Sequence, residues 1–194
     1  MQVRALTIPG AWEFTPVQHG DDRGLFLESF KQDVLSDLIG HEFHVAQTNT
    51  SVSGTGVLRG VHYADVPPGQ AKYVTCTAGA VIDVVVDLRV GSPTFGEHDI
   101  VLLGDLDRKA VYLSEGLGHA FCALADFSTV TYLCSTGYNP GAEHGISPLD
   151  PALGIEWPTV DRGGAPLEFI LSDKDRDAPT LAGAKAAGAL PSWT

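Results

Sequence analysis

The sequence predicts an all-β fold, a sandwich or barrel with a few short peripheral helices, and three observations carry that expectation. Short β-branched or alternating runs recur along the chain, Gly, Pro, Asp or Asn bounds each of them, and helical periodicity is confined to two segments. In chain order, strands are expected at residues 24–30, 43–52, 73–77, 80–88, 99–103, 109–113, 120–125 and 129–134. The stretch 57–62 is also apolar and strand-like. Helical spacing puts Val34, Leu35 and Leu38 on one face of residues 32–38, and the alanine-rich tail 181–190 is the second helical segment. No internal repeat or long linker divides the chain, although Gly163-Gly164-Ala165-Pro166 marks a flexible approach to the C-terminal segment. With 194 residues, the whole of 1–194 reads as one domain.

Composition narrows the function classes. At 44% hydrophobic and 19% charged residues, the chain lies in the globular range. Twelve basic against 24 acidic residues give a net charge of -12, a field that repels polyanions, so nucleic acid is not an expected partner. A small anionic substrate remains compatible with that charge, because a few Arg and Lys side chains converging in one cleft outweigh the distant average. No apolar run approaches the roughly 20 residues of a membrane span. The opening Met1-Gln2-Val3-Arg4-Ala5 lacks the succession of a secretory signal, so a cytoplasmic location is expected. Cys76, Cys122 and Cys134 are odd in number and set among apolar residues, which reads as buried thiols in a reducing compartment.

Three strands carry chemistry. In residues 43–52, a period of two aligns Val45, Gln47, Asn49 and Ser51, an amide-rich row that fits either a polar barrel interior or an exposed sheet face. Val57-Leu58-Arg59-Gly60-Val61-His62, with Lys72 ten positions on, concentrates positive charge in apolar surroundings. An imidazole accepts a proton near neutral pH, so His62 suits a general base, but among seven histidines composition does not single it out. Tyr132 shares a strand face with Val130 and Cys134, where its hydroxyl enters a cavity or makes one buried hydrogen bond.

From about Val3 to Pro179 the chain resembles the dTDP-4-dehydrorhamnose 3,5-epimerases of deoxysugar biosynthesis. The resemblance rests on Asp22-Arg23-Gly24-Leu25-Phe26-Leu27-Glu28, Gln47-Thr48-Asn49-Thr50-Ser51, Val57 to His62, Asp83 to Arg89 and Gly91-Ser92-Pro93-Thr94-Phe95-Gly96. It continues through Glu115-Gly116-Leu117-Gly118-His119-Ala120-Phe121, Tyr132, Tyr138-Asn139-Pro140 with Glu143, Asp150-Pro151, Trp157-Pro158 and Ser172-Asp173-Lys174-Asp175. Their order and spacing together make the signal specific.

The resemblance implies a cupin-type jelly-roll barrel and inversion of dTDP-4-keto-6-deoxyglucose at C3 and C5. His62 would be the base, Asp175 its carboxylate partner, Tyr132 the acid on the opposite face of the sugar, and Lys72 the cation near the C4 oxygen. Arg23, Phe26, Glu28, Gln47, Asn49, Arg59 and His119 would hold the sugar nucleotide, with Tyr138 stacking on thymine. Glu143 and Lys174 also match binding positions, although an exposed ion pair would look the same. No metal or other cofactor is implied, and no His-Xaa-His pair is present. The resemblance further implies a homodimer whose N-terminal strand reaches into its partner. Departures are Gly118 and Ala120 around His119, and Val61 and Tyr63 around His62. They leave open a single 3- or 5-epimerase of an antibiotic-sugar pathway. A non-catalytic sugar-nucleotide-binding cupin and a related ketoisomerase are the readings from other classes.

Overall fold

The computed structural model describes residues 1–193. Its strands are β1 (Gln2–Ala5), β2 (Ala11–Thr15), β3 (Gln18–Asp21), β4 (Gly24–Leu27), β5 (Gln47–Ser53), β6 (Leu58–Ala64) and β7 (Lys72–Ala78). They continue with β8 (Ala80–Asp87), β9 (His98–Gly104), β10 (Ala110–Leu113), β11 (Leu117–Ala123), β12 (Ser128–Cys134) and β13 (Glu143–Gly145). Helix α1 (Gln32–Ile39) precedes β5, and α2 (Asp173–Arg176) and α3 (Leu181–Ala186) follow β13.

The antiparallel pairs β5 with β12, β6 with β11, β7 with β10 and β8 with β9 nest inside one another. They fall alternately into a six-stranded sheet, β1-β2-β10-β7-β12-β5, and a five-stranded one, β13-β6-β11-β8-β9. That is a jelly roll, the cupin-type architecture expected from the resemblance. The hairpin of β3 and β4 stands apart as its own two-stranded sheet.

Alternation along the strands sorts side chains between layers. Val74, Cys76, Val111, Leu113 and Val130 meet Val81, Val85, Val101, Leu103 and Phe121 between the two sheets. Outside the larger sheet, Leu35 of α1 and Phe43 bury against Phe14, Tyr73 and Tyr112. Outside the smaller sheet, Leu153, Leu181 and Ala184 cover Val61, Val84, Val86 and Leu88. Each such fully buried side chain is worth roughly 1.5–3 kcal/mol of transfer free energy, which holds the outer layers in place.

The element boundaries differ from the sequence pattern where a residue is claimed by a different layer. The strand expected from 43 starts at Gln47, because Phe43 packs on the outer face of the larger sheet. The strand expected at 24–30 ends at Leu27, and Phe30 joins the same outer cluster. The tail helix stops at Ala186, with Gly188 at φ 67° beyond it. Strands β1 and β3 carry only exposed residues and so give no alternation to read. All three cysteines are buried free thiols, and burial pushes Cys76 and Cys122 up to about 11. No helix among the described residues is long and apolar enough to cross a membrane.

Candidate active site

The site begins with an irregularity in β6. His62 lies opposite His119 of β11, while Arg59 lies opposite Phe121, so β6 carries one extra residue between the two pairs. In a regular strand Arg59 and His62, three apart, would point to opposite faces; the extra residue puts both on the face shared by His119 and Phe121. Phe121 belongs to the core between the sheets, so that face looks inward. Gly60 makes the bulge possible: its φ is 108°, and a Cβ there would sit 2.4 Å from the His119 carbonyl oxygen.

His62 Nε2 lies 2.6 Å from Asp175 Oδ1. Asp175 is 5% exposed and sits in the first turn of α2, where its own N–H donates to the Ser172 hydroxyl at 3.1 Å. Burial by itself would raise the carboxyl pKa, but hydrogen bonds and charge from His62, then Ser172 and the Gly60 N–H, hold it below its ordinary value. Asp175 is therefore an anion at neutral pH. In a neutral ring whose Nε2–H donates to it, the lone pair lies on Nδ1.

The other sheet supplies the facing wall. Inward-facing Gln47 and Asn49 are half-buried, between exposed Thr48 and Thr50, and Gln47 Nε2 donates to Asn49 Oδ1 at 2.6 Å. The polar row thus lines the interior, as the first of the two sequence readings has it. Val45 falls outside the strand and is exposed. At the far end of the row, Ser53 Oγ accepts from Arg59 Nε at 3.2 Å. Tyr132 pairs with Asn49 and packs on the inter-sheet core. Burial raises its phenol pKa, Cys134 and Glu143 add to the rise, and Arg59 and Asn49 oppose it. The hydroxyl accordingly keeps its proton at neutral pH. Lys72 is the register partner of Cys134; desolvation lowers its pKa, opposed by Cys134, Glu143 and Asp83.

His119 Nε2 is 2.7 Å from Asp83 Oδ2, and both side chains are buried. Glu143 lies on β13 opposite Ala64, where it lines a cleft of about 360 Å³ together with Lys174 and Asp175. Tyr138 is exposed at the mouth, its N–H donating to Gln47 Oε1 at 2.8 Å. Thus His62, Asp175, Tyr132, Lys72, Gln47, Asn49, Arg59 and His119 converge on the space between the sheets or its rim. Arg23, Phe26 and Glu28 do not. Arg23 pairs with Asp21 on the projecting hairpin, Phe26 is 67% exposed, and Glu28 pairs with its neighbour Lys31 at 3.6 Å.

Sequence reasoning gave no role to Ser53, Ser172 or Asp83. The signal for Asp83 is a carboxylate on the inward face of an apolar strand, between Val81 and Val85. Among the described residues, no three His, Cys, Asp or Glu side chains gather as a metal-binding group.

Comparison with known proteins gives this geometry a family. The model of the dTDP-4-dehydrorhamnose 3,5-epimerase family matches residues 5–183. The dTDP-4-dehydrorhamnose 3,5-epimerase of Mycolicibacterium smegmatis is 60% identical over 193 residues, covering 100% of this chain and 92% of that protein. The solved structure of an epimerase from Mycobacterium tuberculosis superposes with a TM-score of 0.93 at 54% identity, covering 100% of this chain and 94% of that one. A 3'-monoepimerase from Streptomyces bikiniensis, solved in complex with dTDP-quinovose, gives 0.90 at 52% identity, with 96% and 91% covered. A jelly roll with an imidazole–carboxylate pair on one wall and a protonated phenol on the other, matched at this identity over its full length, belongs to the dTDP-4-dehydrorhamnose 3,5-epimerase family.

Proposed function

We propose that this chain, acting as one catalytic domain, epimerises dTDP-4-keto-6-deoxyglucose at C3 and C5 in deoxysugar biosynthesis. The observation that carries the reading is the opposition of His62 and Tyr132, which project from different sheets of one jelly roll. Packed sheets lie about 10 Å apart, room for a sugar ring held between a base on one face and an acid on the other.

The C4 ketone acidifies the hydrogens on C3 and C5. Nδ1 of His62 removes one of them, Asp175 stabilises the imidazolium that forms, and the carbon–hydrogen electron pair moves into an enolate. The Lys72 ammonium offsets the charge developing on the C4 oxygen. The Tyr132 hydroxyl then delivers a proton to the opposite face, which inverts the centre. The phenolate regains a proton and the imidazolium loses one, so no net charge or electron is consumed.

Arg59 suits the diphosphate, Gln47, Asn49 and His119 suit the sugar nucleotide, and Tyr138 offers a ring to thymine. Glu143 and Lys174 stand at the rim. Arg23, Phe26 and Glu28 serve the site of a second copy, in a homodimer with exchanged N-terminal strands; their exposure on a projecting hairpin supports that arrangement. Three buried free thiols suit a reducing, cytoplasmic compartment.

The likeness to the 3'-monoepimerase favours a second reading, inversion at C3 alone. Incubation with dTDP-4-keto-6-deoxyglucose in deuterated water, read by NMR, separates the two. Deuterium at C3 and C5 supports the double epimerase, deuterium at C3 alone supports the second reading, and no incorporation at either carbon defeats both.

A further inference from the structure

One interior carboxylate has no part in the reaction just assigned. Asp83 is 1% exposed, and while its Oδ2 bonds His119, its Oδ1 is buried without a hydrogen-bond partner among the described residues. A buried carboxylate oxygen left alone is costly, and it persists where a facing positive charge compensates. Alternation along β7 puts Lys72 on the inward face with Val74 and Cys76, across the space between the sheets from the face of β8 that carries Val81, Asp83 and Val85. Lys72 forms no salt bridge within 4.0 Å among the described residues. The groups acting on its ammonium are Cys134 of β12, Glu143 of β13 and Asp83 of β8. Burial raises the Cys134 thiol, so it is neutral, and Glu143 is only half-buried. Asp83 is the buried carboxylate of the three.

We propose that Asp83 is a positioning residue for the C4-oxygen side of the site, with Oδ2 fixing the His119 ring and Oδ1 serving as the anion that retains the Lys72 ammonium. The inference rests on the assignment of Lys72 to the C4 oxygen. Asp83 thereby links β11 to β7 of the facing sheet. Its role answers a conflict in the chemistry: the base must be neutral at the same pH at which the buried amine is charged. A neutral amine would leave the enolate oxygen without a cation.

Asp83→Asn tests this, because the amide oxygen still accepts from His119 while the charge is gone. We expect kcat for deuterium exchange to fall about 10- to 100-fold, with dTDP affinity within about twofold of wild type. The basic limb of the kcat–pH profile should move down by about one pH unit or more, since Lys72 loses its proton sooner without the anion. Added to Lys72→Met, the same substitution should cost nothing further. An unmoved basic limb, or a full additional loss in the Lys72→Met background, overturns the proposal.

A measurement on the wild-type protein covers the case in which the variant does not fold. The 13Cε resonance of Lys72, assigned by its absence from Lys72→Met, should report an ammonium at pH 8; a neutral amine there overturns the proposal. That measurement needs no turnover. A wild-type protein that exchanges no deuterium therefore defeats the proposed function while leaving the Asp83–Lys72 link separately tested.

Discussion

Replacing Gly60 with alanine tests whether the bulge in β6 builds the site. The new Cβ would lie 2.4 Å from the His119 carbonyl oxygen, 2.7 Å from Ala120 Cβ and 2.8 Å from Ala120 Cα. None of these is the end of a flexible side chain, so β6 and β11 must part or the bulge must collapse. Holding a residue with a Cβ at φ 108° costs roughly 1–3 kcal/mol, and overpacking adds about 1–3 kcal/mol. The sum, about 2–6 kcal/mol, is a large share of the roughly 5–15 kcal/mol that stabilises an ordinary domain. Urea unfolding followed by tryptophan fluorescence reads the stability, and solvent deuterium exchange reads the site. Exchange should fall about 100-fold or more in whatever remains folded, because displacement of a reacting group by about 1 Å is enough for that. Gly54→Ala is the control: its Cβ would meet only Asp126 Oδ1 at 3.6 Å, and its φ is not positive. If Gly60→Ala costs under about 1 kcal/mol and exchanges within threefold of wild type, the bulge does not set the register of His62 and Arg59.

Four further outcomes follow from the same geometry. His62→Asn should lose nearly all turnover and deuterium exchange while still binding dTDP; substantial exchange in a clean preparation removes His62 as the base. Tyr132→Phe keeps the ring and loses the hydroxyl, so epimerised product should fall steeply while some exchange through His62 persists; product at the wild-type rate gives the acid role to another group. A purified heterodimer of an Arg23→Ala chain and a His62→Asn chain should regain partial activity, because one of its two sites is intact; a heterodimer as inactive as its parents confines Arg23 to its own subunit. Asp87→Asn should cost about 3 kcal/mol in urea unfolding at pH 7, because Asp87 is fully buried and bonds Arg89, Ser92 and Thr94. Burial would raise the Asp87 pKa, but those bonds depress it. Its contribution is therefore present above the unfolded value of about 4 and is lost as pH falls toward the folded one, so the gap to wild type should close in acid.

Local pattern was most informative where one rule governed a whole segment. Residues 80–88 read as a buried strand because Val81, Val84, Val85 and Val86 fill both faces of β8, and the observed strand differs by one residue. The amide row of β5 was visible as an alternation, yet whether it faced a cavity or solvent depended on the opposite sheet, which no local pattern encodes. The placement of Arg59 beside His62 runs against a period of two, and Gly60 was its only local sign. The pairing of His62 with Asp175 spans 113 residues and that of His119 with Asp83 spans 36, so neither is a matter of periodicity. The first reached the sequence reading through the family resemblance, and the second did not reach it at all, although Asp83 stood within a matching block.

The acidic chain and its anionic substrate leave an electrostatic problem that the arrangement of cations addresses. At a net charge of -12, the long-range field opposes a dTDP-sugar, so binding depends on positive groups close to the diphosphate and the C4 oxygen. Within one subunit the proposed ones are Arg59 and Lys174 at the rim and Lys72 inside, and Lys72 forms no salt bridge among the described residues. Arg23, the next candidate, is spent on Asp21 at the tip of a hairpin whose side chains are 90% and 51% exposed, where such a pair contributes little to stability. An exposed pair is also one that a diphosphate can displace, because the guanidinium gives up a weak, hydrated contact for two charge-assisted hydrogen bonds in a drier setting. The proposed exchange of N-terminal strands would therefore supply the positive charge that the isolated subunit lacks, and assembly and substrate binding would favour each other through the same arginine.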